Sequence, residues 1–137
     1  ERKLEFMRCE FDQAGVKLRI AFDQSLAPIV ADGEQLWQAT LNLLRNSLEA
    51  MHCGGELVVS TRRDGTHAVV QVSDNGHGMA AEQLKQVFTP FFTTKKTGTG
   101  LGLSLVQQIV TEHGGHVECV SAPDKGSTFT ILLPLTP

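Results

Sequence analysis

Asn42 and Asn46 stand four residues apart in the run Asn42-Leu43-Leu44-Arg45-Asn46. On a helix their amide oxygens lie one turn apart, and they could hold a hydrated Mg2+, a hard cation that takes oxygen ligands and keeps several waters. Downstream, Asp74-Asn75-Gly76-His77-Gly78 follows the apolar stretch Ala68-Val69-Val70-Gln71-Val72-Ser73. A carboxylate placed there can accept a hydrogen bond from an adenine amino group, at roughly 1.5–3 kcal/mol because the bond is charge-assisted. Gly76 and Gly78 would let the backbone approach the ring closely. A third segment, Gly98-Thr99-Gly100-Leu101-Gly102-Leu103-Ser104, opens a helix whose free N–H groups and dipole can receive phosphates. Lys95 and Lys96 precede it and could reach a terminal phosphate. Three such segments in this order, with Phe88-Thr89-Pro90-Phe91-Phe92 between the last two, describe a nucleotide pocket closed by a mobile loop.

Taken singly, each segment has a plainer meaning. A polar helix face is most often solvated, Asp-Asn-Gly most often caps a turn, and loop lysines are commonly just hydrated. Asn is a mediocre helix former, so two of them at i and i+4 are odd choices for solvation alone. The glycines do not form a dinucleotide fingerprint, because no apolar strand leads into them and the spacing is G-x-G-x-G. Nor do they form a P-loop, since no Gly-Lys-Ser/Thr follows a strand.

The elements that must position these residues follow from periodicity. A helix is expected over residues 1–13, with Leu4, Met7 and Phe11 at helical spacing and Gly15 at its end. Val16 to Phe22 alternates as a strand, and Pro28-Ile29-Val30 suggests a short edge strand. Asp32 is a fair N-cap for a helix running to about Met51, ended by Gly54-Gly55. On that helix Trp37, Leu41, Leu44, Leu48 and Met51 form an apolar stripe, with Asn42, Arg45, Asn46 and Glu49 opposite. Leu57–Arg63 and His67–Ser73 are strands joined at Asp64-Gly65, a hairpin signal. Ala80–Val87 is a short helix, and another runs from about Leu101 to Glu112. Gly115–Ser121 and Thr128–Leu133 are the last strands, turned by Asp124-Lys125-Gly126. The expected fold is α+β, a two-layer sandwich of a mixed, mostly antiparallel sheet covered on one face by helices.

Composition bounds the alternatives. A chain of 137 residues is one domain with one core. The net charge of −3 argues against a dedicated nucleic-acid binder. No apolar run approaches the ~18 residues of a membrane span, and the N-terminus shows no secretory h-region. The first residue is Glu1, so a piece of a longer protein is expected, with residues 1–15 the end of a linker helix and 16–137 the domain. Cys9, Cys53 and Cys119 match neither a disulfide framework nor a C-x-x-C pattern, as thiols of a reducing cytosol would. His113 and His116 lack metal-ligand spacing because Gly114-Gly115 interrupts any shared helix face.

On these residues the chain resembles the ATP-binding catalytic domain of sensor histidine kinases, in the superfamily of gyrase, chaperone and mismatch-repair ATPases. The resemblance runs from about Val16 to Leu135. Asn42–Asn46 looks like the N box, Asp74–Gly78 the first glycine box, Phe88–Phe92 the F box and Gly98–Gly102 the second glycine box. Thr93-Thr94-Lys95 and Gly114-Gly115 are most similar to the nitrogen-regulation subgroup. The resemblance implies a Bergerat-type fold with a left-handed βαβ unit, an exception to the usual crossover preference. It implies Mg2+ at Asn46 with help from Asn42, adenine at Asp74, and an ATP lid from about Met79 to Gly100. The nucleotide contacts carried over are Asn42, Arg45, Asn46, Asp74, Gly76, Gly78, Met79, Phe88, Thr94 and Lys95, then Gly98 to Leu103, and Thr128. Many members carry Lys or His where this chain has Glu49, so Arg45 or Lys95 would take over the phosphate contact.

Hydrolytic relatives carry an acid at the place of Asn42, and a neutral amide cannot act as a general base. The implied activity is therefore transfer of the ATP γ-phosphoryl group to a histidine, with Asn42, Asn46 and Lys95 as the catalytic set. None of the five histidines sits on a long helix beside an acid, so the acceptor is expected on a dimerisation domain outside this chain. A response regulator would be the next partner, with no nucleic acid or membrane contact by this domain. The isolated domain is expected to be a cytoplasmic monomer and its parent a homodimer. An ATPase switch and a nucleotide-gated interaction module are the competing functions.

Overall fold

In the computed structural model, residues 2–13, 15–22, 33–51, 54–88 and 102–134 are described, with side chains from Arg8 onward. Helix α1 (Arg2–Gln13) leads into strand β1 (Val16–Ala21), whose Val16 and Leu18 are buried while Lys17 and Arg19 are exposed. Phe11 of α1 is fully buried in the core, and Arg8 Nη1 donates to the Leu18 carbonyl at 3.1 Å. Helix α2 (Gly33–Glu49) carries Glu34 in its first turn, where a negative charge favours the helix dipole. Strand β2 (Gly55–Asp64) then pairs parallel with β1, so β1, α2 and β2 form a βαβ unit.

The chain turns at Gly65-Thr66 into β3 (His67–Asp74), antiparallel to β2 with Asp64 opposite His67. Helices α3 (Ala81–Gln86) and α4 (Gly102–Glu112) follow. The end of α4 is closed by Gly114-Gly115, whose N–H groups reach back to Thr111 and Val110 at 3.0 Å each, the paired bonds of a Schellman motif. Strands β4 (His116–Ser121) and β5 (Ser127–Pro134) complete a five-stranded sheet in the order β1-β2-β3-β5-β4, antiparallel everywhere except between β1 and β2.

One face of this sheet presents Leu57, Val59, Val72, Phe129 and Ile131 to Leu43, Leu44, Val106, Ile109 and Val110 of α2 and α4. Each such side chain contributes about 1.5–3 kcal/mol on burial. The opposite face is tied by polar pairs, among them Ser73–Thr128 at 2.9 Å and Arg19–Glu56 at 3.0 Å. This is the α+β, mixed and mostly antiparallel architecture that the periodicities predict. The expected edge strand at 28–30 and the cap at Asp32 lie outside the described residues.

Helix α2 sits differently from its simple stripe. Its fully buried residues are Ala39, Leu43, Leu44 and Ser47, while Trp37, Leu41 and Leu48 are half-buried at the margin of the core. The centre of the fully buried set is turned about 100° from that of the expected stripe, at 100° per residue, although Leu44 and Met51 of that stripe are buried. Ala39 and Ser47 are small, so the backbone approaches the sheet on their side and the bulky residues spread over the flank. The rotation carries Asn42 and Asn46 to the edge of the buried face, where both are half-buried, while Arg45 and Glu49 are exposed.

Candidate functional site

The site is built where the C-terminal half of α2 meets the end of β3. Asp74 is the last residue of β3 and only 6% exposed. Its Oδ1 accepts the Gly76 N–H at 2.9 Å, which is the turn-capping role of an Asp-Asn-Gly tripeptide. Its Oδ2 is buried and, among the described residues, has no hydrogen-bond partner. A buried carboxylate oxygen without a donor is costly, so this half of the group is free for a ligand.

The loop after Asp74 is held from three sides. Asn75 Oδ1 accepts the Glu56 N–H at 2.9 Å, fastening the loop to the start of β2. The His77 N–H donates to the Ala50 carbonyl at 3.2 Å, and a Cβ on Gly76 would run into that same oxygen. Beyond the loop, the Asp124 N–H donates to the His77 carbonyl at 2.8 Å. Gly78 has φ +69°, and a Cβ there would collide with the Ala122 carbonyl. Gly76 and Gly78 are therefore needed as much for close approach to α2 and the β4–β5 turn as for any approach to a ligand.

Ser121 is the hub of the third attachment. Its Oγ accepts the Met79 N–H at 2.9 Å, donates to the Gly126 carbonyl at 3.0 Å and shares a hydrogen bond with Ser127 Oγ at 2.8 Å. Ser127 is buried and lies opposite Asp74 in the β3–β5 register. Sequence reasoning missed Ser121, Ser127 and Asn75. The available signal was small polar residues at inward strand positions, Ser121 two after Cys119 and Ser127 two before Phe129.

Asn42, Asn46 and Ala50 follow one another at i+4 along α2, and the line ends on the Gly76-His77 backbone through the Ala50 carbonyl. The two asparagines lie on the same helix line as Ala50, with Arg45 exposed on the neighbouring line. Burial pushes the Cys119 thiol up to about 12, and the Asp74 charge adds to the effect, so that charge is felt two strands away on β4.

Residues 31–137 match the family described as histidine kinase-, DNA gyrase B- and HSP90-like ATPase. The chain belongs to this family. Membership of this ATPase family carries binding of ATP and ADP with it. Sensor histidine kinase ZraS of Escherichia coli K12 is 40% identical over 132 residues, covering 96% of this chain and 28% of that protein. Signal transduction histidine-protein kinase AtoS of the same organism is 41% identical over 129 residues, covering 90% of this chain and 21% of its own length. Sporulation kinase C of Bacillus subtilis 168 is 45% identical over 107 residues, 78% of this chain and 25% of that protein. The chain therefore spans between 21% and 28% of the length of these three relatives.

Among solved structures, the nucleotide-free catalytic domain of histidine kinase ThkA superposes with a TM-score of 0.85 at 28% identity, covering 96% of this chain and 88% of that one. Full-length ShkA in complex with AMPPNP gives 0.84 at 27% identity, covering 95% of this chain and 28% of that one. These matches reach the histidine kinase catalytic domains.

The remaining expected contacts of this ATPase domain fall in four groups. Phe88 is half-buried and stands edge-on to Phe129, with ring centroids 6.2 Å apart, and Met79 and Leu103 are half-buried against the core. Gly102 is the exposed first residue of α4. Thr94, Lys95, Gly98, Thr99, Gly100 and Leu101 lie outside the described residues. Thr128 is a correction. The register places Ser127 opposite Asp74, so alternation turns Thr128 to the other face, where its hydroxyl meets Ser73.

Proposed function

We propose that this chain is the catalytic domain of a sensor histidine kinase, binding Mg-ATP and transferring the γ-phosphoryl group to a histidine on a dimerisation domain. The observation that carries the reading is the Asp74 carboxylate, with one oxygen spent on its own loop and the other buried and unspent. That arrangement fits an adenine amino donor. Asp74 orients the base, the Gly76–Gly78 backbone lies against it, and Met79 and Phe88 begin the lid.

The donor set on α2 also fits a hard, hydrated cation: two half-buried amides one turn apart. Asn46, with help from Asn42, would hold Mg2+, which supplies charge neutralisation at the β- and γ-phosphates. Arg45 and Lys95 are the cations available to the phosphates, Glu49 being unsuited by charge. Asn42 leaves water without a base, which protects ATP until an acceptor arrives. The acceptor domain belongs to the same parent protein, and a response regulator in the cytoplasm receives the phosphoryl group.

Labelled ATP supplied together with a dimerisation domain tests the reading by yielding phosphoprotein, free phosphate or neither. Asn46→Ala should lower phosphoprotein formation by on the order of a hundredfold while weakening ADP only severalfold, because the metal acts mainly on transition-state charge. Full transfer by this variant at saturating Mg2+ would remove Asn46 as a metal ligand. Free phosphate as the main product would favour the ATPase switch instead.

A further inference from the structure

At the end of the sheet away from Asp74, two histidines meet across a strand. His67 starts β3 opposite Pro134, and His116 starts β4 opposite Leu132, with β5 between them. Alternation puts both on the face that carries Ser73 and Thr128, away from the helices. Their ring centroids are 6.3 Å apart, with the ring planes at 71°. From His67 to Asp74 the strand runs about 23 Å, so the pair is separate from the nucleotide site.

Each ring has one nitrogen engaged and one left over. Thr66 Oγ1 lies 3.3 Å from His67 Nδ1, leaving Nε2, and Glu118 Oε1 lies 3.4 Å from His116 Nε2, leaving Nδ1. An oxygen partner on one nitrogen is what orients a metal-binding imidazole, while the other nitrogen meets the ion. With a metal–nitrogen bond of about 2.1 Å, an ion sits about 3.2 Å from each ring centroid. Two rings on one ion then stand about 5.2 Å apart in a tetrahedral shell and about 6.4 Å apart when they face each other across it. The observed 6.3 Å matches the second arrangement, which belongs to tetragonal shells of nitrogen and oxygen ligands. No group of three His, Cys, Asp or Glu side chains among the described residues is placed to hold an ion, so the other positions fall to water. We propose that His67 and His116 bind one divalent late transition ion of the Ni2+ or Cu2+ class on the open face of the sheet, with Glu118 orienting His116.

The test is calorimetry of Ni2+ alone with the 137-residue protein, in excess Mg2+, which prefers oxygen ligands and leaves imidazole free. Saturable binding of one Ni2+ is expected. His67→Ala and His116→Ala should each weaken it at least about tenfold, and the double variant should lose little more, because the two rings act as one chelate. Glu118→Ala should weaken it by about tenfold, the scale of a lost outer-shell partner. The exposed thiol of Cys9 is the competing ligand, so Cys9→Ser should bind as the unaltered protein does. Ni2+ should also raise the melting temperature of the unaltered protein and leave that of the double variant where it was. No saturable binding, binding undiminished in the double variant, or binding abolished by Cys9→Ser overturns the proposal.

Discussion

Asp74 also sets the chemistry of its surroundings, and Cys119 reports it. Desolvation holds that thiol protonated, at about 12 against an ordinary 9.0, and the neighbouring carboxylate charge acts in the same direction. The thiolate is the nucleophile, so at pH 8 Cys119 should alkylate at least about a hundredfold more slowly than the exposed Cys9. Asp74→Asn removes the like charge and should speed Cys119 without changing Cys9. The sign for stability follows: the unfolded thiol releases its proton near 9.0 while the folded one keeps it, so stability declines as pH rises from there toward about 12. Peptide mass spectrometry after timed labelling measures both rates. Equal rates at Cys9 and Cys119 would contradict the burial and charge placed around β4.

The elements bring these residues together by wedging one loop between α2 and the β4–β5 turn. Gly78→Ala puts a methyl into the Ala122 carbonyl at a left-handed φ, a strain of about 1–3 kcal/mol. The melting temperature should fall by on the order of 5 °C, and ADP affinity should drop with it because Asp74 loses its brace. Gly33→Ala in the first turn of α2 meets no atom within 4 Å and should leave both unchanged, so circular-dichroism melts of the pair separate strain from mere loss of glycine. A Gly78→Ala protein melting and binding like the unaltered one would show that the loop can back away. The strands and helices were legible because their apolar periods are local, and so was the carboxylate, because Asp74 closes an apolar run before a glycine turn. Ser121 was not, since its three partners come from positions 79, 126 and 127 and meet only when β4 and β5 pair. The seating of α2 was misjudged because hydrophobicity ranks Trp37 and Leu41 above Ala39 and Ser47, whereas close packing on a sheet favours the small side chains. Thr128 failed on parity, as a one-residue offset in a strand exchanges the two faces.

At the scale of the molecule, the question is which atom receives the phosphoryl group. The four described histidines stand at the start of β3, in the Asp74 loop, just after α4 and at the start of β4, and none lies within a helix. His113, the nearest to a helix, already spends its Nδ1 on the Ile109 carbonyl at 2.7 Å. Positioning supplies most of phosphoryl-transfer catalysis, so a pocket with no helix-borne histidine among the described residues should hold ATP without consuming it. The lone domain should therefore show neither self-labelling nor rapid phosphate release, Asn42 being unable to deprotonate water. A histidine-bearing dimerisation domain added in trans should restore labelling, more slowly than in an intact chain because the encounter is no longer intramolecular. The label should be lost in acid and survive in alkali, as a phosphoramidate does and a phosphoserine does not. Brisk phosphate release by the lone domain, unaffected by Asn42→Ala, would mean that water is the acceptor and the domain is an ATPase switch.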